Sequence, residues 1–377
     1  LKGIFTALVF SLSVPVMAAG KEPLSEDQSA QFIEEAIRKI VNKPSGELVG
    51  EDLEKVTELH CVYEQLIDVK GVEKLANLQR LFLHNNQLSD VKLLVGLKKL
   101  RVLSLDSNRL TNLEGIEQLK QLKALRVGGN RITDMKGLEQ LTQLTILNAG
   151  ENQLTALPEQ IRPLRQLFGL NLGGNQLTEV KKIAGLTQLA NLNIAGNQLT
   201  DVSPIGNLTQ LTHLWLEDNR VTDVAPLGTL SELTHLWLEK NRVSRVRGLD
   251  SLKKLTQLHL SNNELISAKG LENIAQLRNL SLDGNQLTNV RGLENLTRLT
   301  HLWLDDNQIS DVRGLEKLRG LVQLNLDGNQ LTNIRMLGRL TRLKELNLMD
   351  NPGLTRAQVS ELRNALPACR IFSNATR

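Results

Sequence analysis

Thirteen asparagines recur along this 377-residue chain, at Asn86, Asn108, Asn130, Asn152, Asn175, Asn197, Asn219, Asn241, Asn263, Asn285, Asn307, Asn329 and Asn351. Every step is 22 residues except one of 23, between Asn152 and Asn175. Each Asn closes the same string, as in Leu211-Thr-His-Leu214-Trp-Leu216-Glu-Asp-Asn219-Arg-Val221, which reads L-x-x-L-x-L-x-x-N-x-L. A unit this short cannot bury its own leucines. It must stack on its neighbours, so the period by itself demands a quasi-one-dimensional array with one continuous apolar core.

That string is the signature of a leucine-rich repeat. Its last two leucines are two residues apart and so share one side of an extended strand, while the residues between and beside them face the other way. The predicted fold is α/β, a right-handed leucine-rich-repeat solenoid with a parallel β-sheet on the concave face. The stretch after each Asn, such as Thr222-Asp-Val-Ala-Pro-Leu227, has too few residues for a crossover helix, so 3₁₀ turns or extended chain are expected on the convex face. The Asn amide both donates and accepts, which suits it to backbone groups that the turn leaves buried. The 23-residue step carries Leu157-Pro158-Glu-Gln-Ile161-Arg-Pro163 and is expected to be a local variant that bends the stack.

Helical caps are expected at both ends. Ser25-Glu-Asp-Gln28 and Thr355-Arg-Ala-Gln358 are capping-box patterns, followed by apolar stripes at Phe32, Ile33, Ala36, Ile37 and Ile40, and at Val359, Leu362 and Leu366. Glu64, 22 before Asn86, marks a degenerate first repeat. The expected division is a signal peptide over 1–18, an N-terminal helical cap over 19–55, repeats over 56–351 (one degenerate, thirteen full) and a C-terminal cap over 352–377.

Residues Leu1 to Ala19 carry one Lys, a short apolar run and a small-x-small site. They are read as a secretory signal cut after Ala18, too short and interrupted for a transmembrane helix. The mature chain is therefore expected to be secreted or periplasmic, with no stable membrane anchor. Of the two cysteines, Cys61 sits at a leucine position as a small apolar residue. Fourteen strands would hold Cys61 and Cys369 about 60 Å apart, too far for an intrachain disulfide. The formal charge of +4 is slight for this length. Basic residues recur six after the Asn (Lys92, Lys136, Lys181, Arg247, Lys269, Arg291, Arg313, Arg335). With Glu114, Glu272, Glu294 and Glu316 nearby, that stripe reads as a solvated edge rather than a nucleic-acid track.

The repeat from Leu211 to Glu232, with Thr222-Asp-Val-Ala-Pro-Leu, resembles the internalin class of bacterial leucine-rich repeats, which favour N-x-I-x-D-I-x-P-L. The stretch Phe32 to Arg38 with Pro44-Ser-Gly46 and Asp52-Leu53, and the end from Asn351-Pro-Gly-Leu-Thr355 to Ala365-Leu-Pro-Ala-Cys369, are similar to the caps of that group. The resemblance covers about residues 27 to 372 and implies an exported binding protein. Internalins proper continue into an immunoglobulin-like region and often a wall anchor, which this sequence is expected to lack. The Gly-Leu-Glu units at 292–294 and 314–316 are also similar to an intracellular repeat subunit that regulates a protein phosphatase. The export signal argues against that role.

Function is expected on the outward-facing strand positions. All six histidines (His60, His84, His213, His235, His259, His301) and all three tryptophans (Trp215, Trp237, Trp303) fall there, with Phe82, in a chain with 3% aromatics. Packing of the leucine core does not explain them. Exposed Trp ringed by polar groups is a composition suited to protein recognition. The candidate ligand-binding residues are His213, Trp215, Glu217, His235, Trp237, Glu239, His259, His301, Trp303 and Asp305. Asp283 and Asp327 extend the acidic row, and Gly128, Gly129, Gly169, Gly173 and Gly174 leave the middle of the face bare. The string Leu-Thr-His-Leu-Trp-Leu-Glu/Asp occurs three times, so duplication of one repeat is the competing explanation.

No nucleophile elbow, phosphate loop or zinc motif occurs, so no catalytic or metal-binding residue and no cofactor is expected. A metal between His213 and His235 is the weaker alternative to simple stacking of neighbouring rungs. The expected partner is a protein, with a glycan as the rival ligand and an envelope scaffold without ligand as the third reading. The chain itself is expected to be a monomer that binds no nucleic acid.

Overall fold

A computed structural model describes residues 22–157 and 159–375, in two compact units divided after Asn197. The expected signal segment lies outside the described residues. Among those described, no helix is long and apolar enough to cross a membrane.

The first unit opens with helix α1 (Glu26–Val41), started by the predicted box: Gln28 N–H donates to Ser25 Oγ, and Ser25 N–H to the Gln28 side chain. Its buried face is Ser29, Ile33 and Ile37; Ile40 is exposed. A single-turn helix α2 (Gly50–Leu53) follows. Then come seven strands, β1 (Glu58–His60), β2 (Arg80–Phe82), β3 (Val102–Ser104), β4 (Ala124–Arg126), β5 (Ile146–Asn148), β6 (Gly169–Asn171) and β7 (Asn191–Asn193). They pair in parallel and in chain order, Leu59 on Leu81, Leu81 on Leu103 and so on. The 23-residue step leaves this register untouched, because Leu147 still pairs with Leu170. Its extra residue is absorbed in the connection around the 3₁₀ turn Glu159–Ile161.

The second unit holds eight strands in the same parallel order. They are β8 (His213–Trp215), β9 (His235–Trp237), β10 (Gln257–His259), β11 (Asn279–Ser281), β12 (His301–Trp303), β13 (Gln323–Asn325), β14 (Glu345–Asn347) and β15 (Arg370–Phe372). Strand β15 is one more than the sequence count of fourteen. It comes from the C-terminal segment after helix α3 (Arg356–Ala365), whose capping box on Thr355 also forms. The strand leucines are fully buried.

The asparagines sit inside this core and bond to backbone, as their regularity demands. Asn241 is typical. Its Oδ1 accepts Val221 N–H at 2.9 Å, and its Nδ2 donates to Leu216 O at 2.9 Å and Leu238 O at 3.1 Å. One side chain thus ties a turn to the turn before it. On the opposite side, the Asp four residues after the Asn starts the 3₁₀ turn. Asp223 Oδ1 accepts Ala225 N–H at 2.9 Å, and Asp311 does the same for Arg313. The Gly-Leu-Glu units have a local cause: Gly292 has φ +99, and its N–H donates to Glu294 at 2.7 Å. Glu272 and Glu316 bind Gly270 and Gly314 likewise, so these glutamates also hold turns. Both cysteines are free, and burial pushes the Cys61 thiol up to about 12.

Candidate functional site

The 22-residue period equals one strand, so residues 22 apart stand side by side. In the second unit this makes three outward columns. The first runs His213, His235, Gln257, Asn279, His301; the second Trp215, Trp237, His259, Ser281, Trp303. Two residues further along each chain lies an acidic column, Glu217, Glu239, Ser261, Asp283, Asp305 and Asp327. All ten residues singled out in the sequence lie on this face, and all are half-buried.

The rings stack rung on rung. His213 and His235 lie 4.3 Å apart at 9°, and Trp215 and Trp237 lie 4.7 Å apart at 4°. His259 continues the tryptophan column, 6.0 Å from Trp237 at 10°. These spacings are close to the strand spacing itself, so sheet geometry sets the stack. The faces of Trp215 and Trp237 cover each other. The facing sides of these two rings are therefore closed to a partner.

The threonine before each histidine of the first column fixes its ring. Thr212, Thr234 and Thr300 place Oγ1 at 2.8–2.9 Å from Nδ1 of His213, His235 and His301. Thr234 and Thr300 spend their hydroxyl hydrogens on the carbonyls of Thr212 and Arg278. The histidine must therefore donate, which puts the proton on Nδ1 of His235 and His301. The threonine in Leu-Thr-His-Leu-Trp is a positioning residue that the sequence reading passed over. His213 and His235 turn ring faces, not nitrogens, toward each other. Among the described residues no group of three or more His, Cys, Asp or Glu could hold a metal ion.

Burial favours the uncharged forms of several side chains on this face. It pushes His213 down to about 4, helped by neighbouring His235, and it lowers His235 and His259 too. All three shifts favour the neutral imidazole. Burial also pushes Glu217 up to about 7, with Glu239 and Asp218 adding like-charge repulsion, and Asp305 up to about 6. Glu239 is raised as well. His259 Nδ1 lies 3.6 Å from Glu239, and both groups shift toward their neutral forms, which weakens ion pairing between them. One oxygen each of Glu217, Glu239, Asp305 and Asp327 is buried without a hydrogen-bond partner.

The first unit shows what the same column looks like when satisfied. Asp106 accepts from Arg126 Nε at 2.6 Å, Gly128 N–H at 2.9 Å, Asn148 Nδ2 at 3.0 Å and Ser104 Oγ at 3.2 Å. Gly128 is small because a Cβ there would meet Asn148 at 2.9 Å, so a polar side chain covers the face at that point, whereas nothing lies within 4 Å of a Cβ at Gly169. The sequence reading also missed a groove of about 790 Å³ in this unit. Val102, Ala124 and Ile146 form its floor, with Arg101, Lys123 and Arg165 on the rim. Its signal was the run of apolar residues, 22 apart, in a column that is otherwise polar.

The acidic column makes a stability prediction. A carboxyl raised in the folded state favours folding below its unfolded pKa, and that contribution is lost as pH rises from about 4.5 to about 7. Glu217→Gln should therefore be more stable than the parent at pH 8, by about 1–3 kcal/mol, the low end allowing for solvent screening. The gain should vanish near pH 5. Urea titrations at the two pH values check it; equal gains at both would mean that ionisation is not the cause.

Comparison with known proteins agrees with this architecture. The sequence family described as a leucine-rich repeat region matches residues 129–330, more than half of the chain, and a two-copy leucine-rich-repeat family matches 76–118. The chain belongs to the leucine-rich repeat family. Among solved structures it is similar to internalin InlF from Listeria monocytogenes, at 28% identity and TM-score 0.81, covering 87% of this chain and 98% of that one. A leucine-rich-repeat protein of Leptospira interrogans is 27% identical with TM-score 0.71, covering 85% and 97%. The repeat ectodomain of a plant membrane receptor kinase from Arabidopsis thaliana is 25% identical with TM-score 0.64, covering 87% of this chain and 45% of that one. No curated protein matches by sequence. This leucine-rich-repeat protein is thus internalin-like, and the family's general role is that of a binding scaffold.

Proposed function

We propose that this is an exported, non-catalytic protein that captures a protein partner on the second unit's sheet face. The candidate contact residues are His213, Trp215, Glu217, His235, Trp237, Glu239, His259, His301, Trp303 and Asp305. The observation that carries the reading is the pairing of a stacked aromatic ladder, lying outside the leucine core, with buried carboxylate oxygens that have no partner. The ladder adds only about 1 kcal/mol to the repeat's stability, and the unpaired oxygens add none. Unpaired buried acceptors cost free energy, and a basic partner would supply the missing donors. The plant receptor ectodomain was solved in complex with Casparian strip integrity factor 2, which supports a binding role for such a scaffold. A glycan is disfavoured between Trp215 and Trp237, because sugars stack on ring faces and the facing sides of these rings cover each other.

The test is capture from extracellular or envelope fractions on the immobilised chain, with Glu217→Lys/Glu239→Lys as control. The expected result is a protein retained by the parent, released by salt and lost with the charge reversal. Capture unaffected by that variant would move the site elsewhere. Export is tested by the mass of the native protein. We expect cleavage after Ala18; a cytosolic chain retaining Leu1 to Ala18 would refute export and revive the phosphatase-regulator reading.

A further inference from the structure

The aromatic column has a missing rung. Trp215, Trp237 and His259 occupy three successive strands, Ser281 takes the next position, and Trp303 resumes the column one strand later. Trp303 stands in the same pose as the other two tryptophans. The histidine–tryptophan ring geometry within each strand is 5.7 Å at 19° for His213–Trp215, 5.6 Å at 20° for His235–Trp237 and 5.8 Å at 19° for His301–Trp303. His259 is parallel to Trp237 within 10°. The space over Ser281 is therefore a slot with two nearly parallel ring walls, about two strand spacings or 9.6 Å apart. One flat group centred in it would lie about 4.8 Å from each wall, the interval at which Trp215 and Trp237 already stack. Among the described residues no other ring stacks on Trp303 within its column.

The chemistry around the slot selects which flat group fits. Ser281 is its floor, 7% exposed, with Oγ held by His259 Nδ1 at 3.1 Å. Asp283 and Asp305 follow two residues along β11 and β12, about 6.6 Å on. Asp283 Oδ1 accepts from Ser261 at 2.6 Å, and Asp305 Oδ1 is buried with no partner. Asn279 lies on the other side. The side chain sought is planar, donor-only and cationic. Lysine is a point charge and cannot stack as a plate, phenylalanine has no donors, and a neutral amide lacks the charge.

We propose that the slot over Ser281 receives an arginine side chain of the partner, its guanidinium plate stacked between His259 and Trp303 and its N–H groups directed at Asp283 and Asp305. This rests on the partner-binding reading above and sharpens it to one residue type. Guanidinium stacking on an indole and a charge-assisted bond to a carboxylate are both favourable, and the slot offers them to one side chain together.

The chain has three tryptophans, so its indole N–H region should contain three resonances, and Trp303→Phe assigns one of them. Titration of the intact protein with Nα-acetyl-argininamide should shift the Trp303 signal saturably and leave those of Trp215 and Trp237 in place. The lysine, citrulline and phenylalanine analogues should each act at least tenfold more weakly. Ser281→Phe fills the rung from within and should abolish the response, while Asp305→Asn should weaken it; unchanged Trp215 and Trp237 signals verify folding in each. A silent Trp303, a response shared equally with citrulline or phenylalanine analogues, or a full response in Ser281→Phe would overturn the proposal. Because the readout is a single amino acid, it is independent of capture: loss of capture dependence on Glu217 and Glu239 sinks the broader reading without touching the slot.

Discussion

Asn241→Asp should destabilise the second unit more than Asn241→Ala, although aspartate is the closer isostere. The reason lies in how the bonds are shared. Leu216 O accepts from both Asn219 and Asn241, and Leu238 O from both Asn241 and Asn263. Each carbonyl therefore keeps one donor when a single Asn is removed. Val221 N–H depends on Asn241 Oδ1, and alanine leaves it buried and unpaired, at a cost of about 1–3 kcal/mol. Aspartate keeps that acceptor but turns a carboxylate oxygen toward Leu216 O and Leu238 O where an NH₂ group donated. Burying that charge without a donor should cost more than 3 kcal/mol at pH 7, and the cost should shrink as the carboxyl is protonated. Urea midpoints at pH 7 and pH 4 check both parts. An aspartate variant as stable as the parent at pH 7 would mean that the ladder carries no such load.

The fold was legible because each instruction is written many times. One asparagine would say little; thirteen in register specify the strand, the turn and the core together. The ring columns were legible for the same reason, since a spacing of 22 is a lateral step of one strand. What could not be read was the behaviour of side chains once neighbours surround them. Nothing in Leu-Thr-His-Leu-Trp states that rings 4.7 Å apart hide their faces, or that burial drives His213 to about 4 and Glu217 to about 7. The Asp106–Arg126 bond joins residues 20 apart, so it runs diagonally across the columns and interrupts the repeat. A reading organised by the period passes over such residues. Ser281 was missed likewise, being informative only for what it lacks beside His259 and Trp303.

The largest functional effect is expected at the stacked pair. Trp215→Ala and Trp237→Ala should each weaken capture of the partner by about 2 kcal/mol, or roughly thirtyfold. The double variant should lose less than the sum. Each ring holds the other upright at 4.7 Å, so the first substitution already costs part of what the second would remove. Stability should fall by only about 1 kcal/mol, the worth of the lost stack, because these rings lie outside the leucine core. The matching control is Arg291→Ala/Lys317→Ala, two exposed side chains in the connections between strands. If capture is equal in the two double variants, the ladder is a by-product of repeat duplication and the binding face lies elsewhere. If capture drops only in the tryptophan pair, with a coupling between them that neither single variant accounts for, then stacking has been put to use as a preorganised edge. On that outcome the acidic column beside it supplies the charge that chooses the partner.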